Sequence, residues 1–204
     1  MRPLFVFDMD DVLYDYDFRV RMAALTRLTG HDLAELRRRW WHDGGEWHAE
    51  AGGYPDGASY LAAANAALGA DIPRDDWLRI RASAMTERPA AIAAVERAAE
   101  AGRVTLLTNN GPLIDEHLAD VAPALLPVFG REHLRTSSRY GARKPDPAVF
   151  RRVLDAYGTP PELAFFADDL PENVAGARSL GITAHLVRDD AGLRAAVDDF
   201  AARF

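Results

Sequence analysis

The sequence contains no cysteine in 204 residues. Disulfides, thiolate nucleophiles and cysteine-ligated metal sites are therefore excluded. No apolar run approaches the ~20 residues that span a bilayer. The opening MRPLFVFD is too short, and acidic too soon, for a secretory signal. These absences lead us to expect a soluble, cytoplasmic chain with no membrane partner. Positive charge is also scarce, since 24 Lys and Arg against 31 Asp and Glu give a formal net charge of −7. The one basic stretch, RLTGHDLAELRRRWWH, places Arg37, Arg38 and Arg39 on what reads as a solvated helix face. No long basic stripe exists, so nucleic acid is not an expected partner. There is no internal repeat and no low-complexity linker. Hydrophobic residues make up 49% of the chain, enough for one core with a modest inserted subdomain.

Against these gaps stands one conspicuous excess. Residues 5–17, FVFDMDDVLYDYD, hold five aspartates in thirteen positions directly after an apolar run. Crowded carboxylates repel one another and cost desolvation when half buried, so the cluster calls for a compensating cation. The surrounding pattern suggests where it sits. Three short apolar runs read as buried parallel strands, Leu4–Phe7 (LFVF), residues 104–107 (VTLL) and 163–167 (LAFFA), and a fourth strand, 183–187 (TAHLV), follows the stop at Gly181. Helical spacing fills Pro89–Ala101 and Pro147–Tyr157, with prolines in the first turn and Gly102 and Gly158 as stops. The alternation predicts an α/β fold, a Rossmann-like parallel sheet flanked by helices on both faces, with its site at the carboxyl ends of the strands. Residues 18–88 break the alternation and read as helices only, at Phe18–Thr29, 31–42, 54–68 and 75–86. Placed after the first strand, such an insert would cover the strand ends as a lid.

Each strand signal leads into polar chemistry. The first ends in Asp8-Met9-Asp10, the second in Thr108-Asn109-Asn110-Gly111, the third in Asp168-Asp169, and the loop GARKP supplies Lys144. Taken singly, each has a plain structural explanation. An acidic turn, a helix cap, a surface lysine and an N-cap aspartate are all common. Their ordered conjunction is much less so. Two carboxylates at i and i+2 can divide nucleophilic attack and proton transfer. A further pair offers hard oxygens suited to Mg²⁺. A lysine supplies a compact positive charge, and main-chain amides opening a helix can hold phosphate oxygens.

The series FDMD, LLTNNG, RKPDPAVF and FFADDLPENVAGARSLGI resembles the four motifs of the haloacid dehalogenase superfamily. The likeness covers residues 1–17 and about 89–190. It implies a catalytic core of 1–17 plus 89–204, an all-helical cap of 18–88, and Mg²⁺ as cofactor. By the same resemblance Asp8 is the nucleophile that forms an aspartyl-phosphate. Asp10 is the general acid/base, and its main-chain carbonyl is a metal ligand. Thr108 and Asn109 contact phosphate, and Lys144 steadies the nucleophile and the phosphate. Asp8 and Asp169 bind the metal, Asp168 does so directly or through water, and Asn173 faces that site. A carboxylate at Asp10 together with the metal-type aspartates implies a phosphatase rather than a dehalogenase. The segment WWHDGGEWHAEAGGYP is similar to the cap of bacterial sugar-phosphate phosphatases of the glucose-1-phosphatase type. A small phosphorylated metabolite is thus the expected partner, with a sugar phosphate ahead of a nucleotide or a phosphoglycolate-like acid. A phosphomutase, a dehalogenase and a catalytically silent binding module remain as alternatives. A monomer or homodimer is expected. One departure stands out, because Asp11 occupies a position usually held by glycine or asparagine. Aspartate tolerates the left-handed backbone that such a turn requires.

The lid carries a polar-aromatic patch of Trp41, His42, Glu46, Trp47, His48 and Glu50, flanked by glycines at 44–45 and 52–53. The patch reads either as the closing core of the lid or as a loop that reaches the substrate, with Trp41 and His48 as contacts. His42, Glu46 and His48 lack the spacing of a known metal ligand set.

Overall fold

The computed structural model describes residues 2–204. Its centre is a four-stranded parallel sheet built from β1 (Leu4–Phe7), β4 (Arg103–Leu106), β5 (Ala164–Asp168) and β6 (Thr183–Leu186), in the order β4-β1-β5-β6. In register, Phe7 lies beside Leu106 on one side and Ala167 on the other. Alternation along the strands sorts side chains to two faces. Phe5, Phe7, Leu106 and Phe165 pack with α6 (Pro89–Ala101), α7 (Pro112–Val121), α8 (Leu126–Phe129) and α11 (Asp190–Ala201). Leu4, Val6, Ala164 and Phe166 pack with α9 (Pro147–Tyr157) and α10 (Pro171–Arg178). Phe5, Phe165 and Phe200 form an aromatic cluster with centroids 5.3 to 5.7 Å apart. Burying each such ring contributes about 1.5–3 kcal/mol.

The strand limits differ slightly from the sequence reading. The second core strand ends at Leu106 rather than 107. The third begins at Ala164, after a single 3-10 turn at Pro161–Leu163, and runs on through Asp168. Asp168 therefore stands inside the sheet rather than beyond it.

The lid departs further from expectation. Residues between 18 and 84 form five helices among the described residues, not four. They are α1 (Phe18–Thr29), α2 (Leu33–Arg39), α3 (Glu46–Glu50), α4 (Gly57–Leu68) and α5 (Arg74–Ser83). Side-chain caps set the starts of three of them. Asp17, Asp32 and Asp56 each accept main-chain N–H groups of the first turn, which moves the second and fourth starts later than their apolar spacing suggested. The stretch 46–50, read as loop, is a short helix. The last predicted helix, 75–86, stops at Ser83, and Met85–Glu87 is a strand, β3. It pairs antiparallel with β2 (Tyr14–Tyr16), Asp15 opposite Thr86. Three residues are too few to show alternation, so neither strand left a periodic trace. The two-stranded ribbon is the neck between the sheet and the helices. Above it, Trp40, Tyr60, Trp77, Leu36 and Leu68 close a separate apolar cluster, to which Leu113 of α7 also belongs.

Candidate active site

Asp8 is the first residue past β1, and its N–H still donates to Ala167 O at 3.0 Å. The chain then reverses within one tight loop. Met9 O accepts from the N–H groups of Leu13 at 2.8 Å and Tyr14 at 3.0 Å. Asp11 takes the left-handed conformation, φ 57°, and its Oδ1 accepts from Tyr16 N at 3.0 Å. Aspartate thus meets the demand of the turn with a local hydrogen bond of its own. The reversal brings Asp8 and Asp10 to one cavity of about 230 Å³, also lined by Thr108, Asn109, Lys144, Asp169 and Asn173.

Lys144 supplies the compensating cation. Only 1% of its side chain is exposed, and its Nζ lies 2.8 Å from Asp8 Oδ1 and 2.7 Å from Asp168 Oδ2. Burial opposes its charge, but the carboxylates of Asp168 and Asp8 outweigh burial and raise its pKa. One ammonium does not neutralise three carboxyl groups. Burial, with Asp168 adding to it, pushes Asp8 well above the usual carboxylate range despite Lys144. Burial and Asp168 likewise push Asp169 up to about 6. Oxygens of Asp8, Asp168 and Asp169 all lie within 4.8 Å of one another. This all-oxygen, over-acidic set fits a hard divalent cation such as Mg²⁺. Asp168 is held rigidly for that arrangement. It accepts from Asn173 Nδ2 at 2.9 and 3.1 Å and from Leu170 N at 2.9 Å.

Asn109 turns out to be a brace. Its Oδ1 accepts from Lys144 N and its Nδ2 donates to Lys144 O, both at 2.9 Å. The amide side chain ties down the lysine loop, and Asn109 lines the cavity beside it. Thr108 Oγ1 accepts from Asn110 Nδ2 at 2.9 Å, so its hydroxyl hydrogen is available for donation.

A second cavity of about 190 Å³ adjoins the first beneath the cap. Asp10 and Asn109 line both, and Tyr16, Phe18, Arg21, Trp41, Glu46, Glu50, Arg81 and Asn110 complete the second. Trp41 lines the second cavity and also packs against the cap core, whereas Trp40 is buried within that core. His48 is exposed, packs against Tyr54 at 5.3 Å between ring centroids, and lies outside the lining of either cavity. Glu46 is buried, and its Oε2 accepts from Trp40 Nε1 and Tyr60 Oη, each at 2.7 Å. Glu50 accepts from Arg143 Nε at 2.6 Å, which ties α3 to the lysine loop. Sequence reasoning missed Arg21 and Arg81. Both occupy the apolar stripe of their helices, Arg81 one position after Ile80 and four after Trp77, and a charge in that position is the signal that would have found them.

The comparisons agree with this architecture. A family model described as a haloacid dehalogenase-like hydrolase matches residues 3–181, and the chain belongs to that family. A phosphatase of Mycobacterium tuberculosis is 32% identical over 189 residues, covering 89% of this chain and 85% of the relative. Among solved structures, a family enzyme of Bacteroides thetaiotaomicron, crystallised with magnesium and inorganic phosphate, superposes with TM-score 0.75 at 18% identity, covering 92% of this chain and 95% of that one. A family hydrolase of Porphyromonas gingivalis gives TM-score 0.72 at 20% identity, covering 91% and 90%.

Proposed function

We propose that the chain is a Mg²⁺-dependent phosphatase that hydrolyses a small phosphorylated metabolite, a sugar phosphate by preference, through an aspartyl-phosphate. The observation that carries this reading is Lys144 Nζ seated between Asp8 and Asp168, with Asp169 alongside, at the carboxyl ends of the strands. The phosphatase name of the mycobacterial relative and the magnesium and phosphate in the Bacteroides structure support it. On this reading residues 1–17 and 89–204 are the catalytic core and 18–88 the cap.

Asp8 attacks phosphorus as Lys144 holds its carboxylate in place, and the ester P–O bond breaks. Asp10 delivers a proton to the departing alcohol oxygen. Water then attacks the same phosphorus, Asp10 takes its proton, and Asp8 is released. The Thr108 hydroxyl and the main chain at Asn109 hold phosphate oxygens. Asp8, Asp169 and the Asp10 carbonyl, with Asp168 directly or through water, would hold the cation, which when bound offsets the negative charge of phosphate and carboxylates. Trp41 would offer a face to a sugar ring.

The test is phosphate release from p-nitrophenyl phosphate by wild type and Asp8→Asn, each with Mg²⁺ and with EDTA. Release that needs both Asp8 and Mg²⁺ is the expected result. Metal-independent halide release from a haloacid, with no phosphate released, would overturn the reading.

A further inference from the structure

The residue read as the acid/base is held by the cap rather than by the core. Both carboxylate oxygens of Asp10 accept from one atom, Arg81 Nη2, at 2.6 and 2.7 Å. Arg81 sits in the last turn of α5, 71 residues further along the chain, with 1% of its side chain exposed. The guanidinium lies 4.2 Å from the centroid of the Tyr16 ring, so one face is covered by an aromatic. Its Nε and Nη1 are buried and have no hydrogen-bond partner among the described residues. Arg21 adds a third idle donor, since its Nη1 donates to Tyr16 Oη at 3.2 Å while its buried Nη2 has no partner among the described residues. Both arginines line the cavity under the cap. Buried donors without partners are rare and call for an explanation, and a ligand acceptor supplies one.

Charge narrows what that ligand is. Glu50 is already paired with Arg143. Among the remaining groups that line the cavity, the guanidiniums of Arg21 and Arg81 face the carboxyls of Asp10 and Glu46. With Asp10 and Glu46 both ionised, before Asp10 takes up the proton that it delivers, two cationic groups against two acidic ones leave no surplus positive charge to attract a second anion. Idle donors in a balanced cavity suit a neutral oxygen, a hydroxyl or a carbonyl.

We infer that Arg81 reads a neutral oxygen on the leaving group, next to the ester oxygen, and by the same guanidinium sets the position of Asp10. This rests on the phosphatase reading above and adds a recognition rule to it. Arg81 is a positioning residue for proton delivery. It exchanges no proton itself and does not touch phosphorus. An ester whose alcohol carries a neighbouring hydroxyl satisfies the idle donors and finds Asp10 aligned with the departing oxygen. An ester lacking that hydroxyl leaves the donors unpaired, the situation in which polar sites discriminate most strongly.

The experiment measures kcat and KM with Mg²⁺ on three esters: glycerol 1-phosphate, propyl phosphate and p-nitrophenyl phosphate. Wild type, Arg81→Gln and Arg81→Lys are compared, with melting temperatures recorded for each. Wild type should favour glycerol 1-phosphate over propyl phosphate in kcat/KM by about 10²-fold or more, and Arg81→Gln should bring the two within about threefold of each other. Misplaced proton delivery should also lower kcat on propyl phosphate at least about tenfold more than on p-nitrophenyl phosphate, whose leaving group departs without a proton. A merely structural role would lower all three together. The inference is overturned if wild type shows no preference for the hydroxylated ester, or if the preference survives in Arg81→Gln. If Arg81→Gln does not fold, Arg81→Lys decides on the same ratio, because lysine keeps the charge without the planar set of donors. Failure of the phosphatase reading looks different, as wild type would then release no Asp8-dependent phosphate from any of the three.

Discussion

Replacing Lys144 by methionine removes the one cation that Asp8 and Asp168 share. The two contacts, at 2.8 and 2.7 Å, lie in a setting where Lys144 and Asp168 are almost wholly covered. Breaking a buried ion pair from one side costs about 3–5 kcal/mol, because the abandoned charge stays desolvated. For a domain of this length about 2–4 °C of melting temperature is lost per kcal/mol, so Lys144→Met should melt about 6–20 °C below wild type in EDTA near neutral pH. The same reasoning makes a sharper demand on the double variant. Adding Asp168→Asn to Lys144→Met removes one of the stranded carboxylates while keeping an acceptor for Asn173, so the double variant should be more stable than Lys144→Met by about 1–2 kcal/mol. Circular dichroism melts and urea titrations of the four proteins complete the cycle. A Lys144→Met protein melting with wild type would refute the reasoning. So would a second substitution that costs as much on the Lys144→Met background as it does alone.

Two further predictions concern the braces around the site. Burial, with Glu46 adding to it, pushes Glu50 up to about 7 from an ordinary 4.5, Arg143 notwithstanding. The folded protein therefore keeps a proton that the unfolded chain releases, so this contribution to stability is full below about pH 4.5 and is lost as pH rises towards 7. Over that span wild type should lose about 3 kcal/mol relative to Glu50→Gln, and urea unfolding at both ends of the window would contradict this if the difference stayed constant or reversed. Asn109→Ala removes both hydrogen bonds that fix the backbone of Lys144. It should cost about 1–3 kcal/mol of stability and lower kcat more than about tenfold by misplacing the lysine, whereas an unchanged kcat would show that the loop holds Lys144 without it.

The core of the molecule was legible because its signals are local. LFVF and LAFFA are apolar on both faces, as strands with helices above and below must be, and each runs straight into the aspartates it positions. The rest depends on contacts distant in sequence. Tyr14–Tyr16 becomes a strand only because Met85–Glu87 lies beside it, and no property of either triplet announces the other. Arg81 reads as one more charge on a charged helix, RDDWLRIRAS, until Tyr16 and Asp10 enclose it. His48 was singled out for its neighbours in sequence, but α3 turns Glu46 and Glu50 inwards and leaves His48 exposed. At five residues, α3 is too short for a pattern of apolar spacing to decide that orientation in advance.

The paired neck also bears on how the molecule could be rebuilt. Asp15 stands opposite Thr86, and Asp17 N donates to Ala84 O at 2.8 Å, so the chain leaves the sheet and returns at nearly the same point. For a loop whose ends are already joined, length is thermodynamically cheap, rising only with its logarithm. A tight turn joining Tyr16 to Met85 would leave β2 and β3 as a simple hairpin on an intact sheet, a miniature scaffold onto which other helical caps could be grafted. Debts would remain with that scaffold: Leu113 would lose its apolar cover, Asp10 would stand without the guanidinium that holds it, and Arg143 would lose the carboxylate of Glu50. A transplanted cap would have to bring replacements for each.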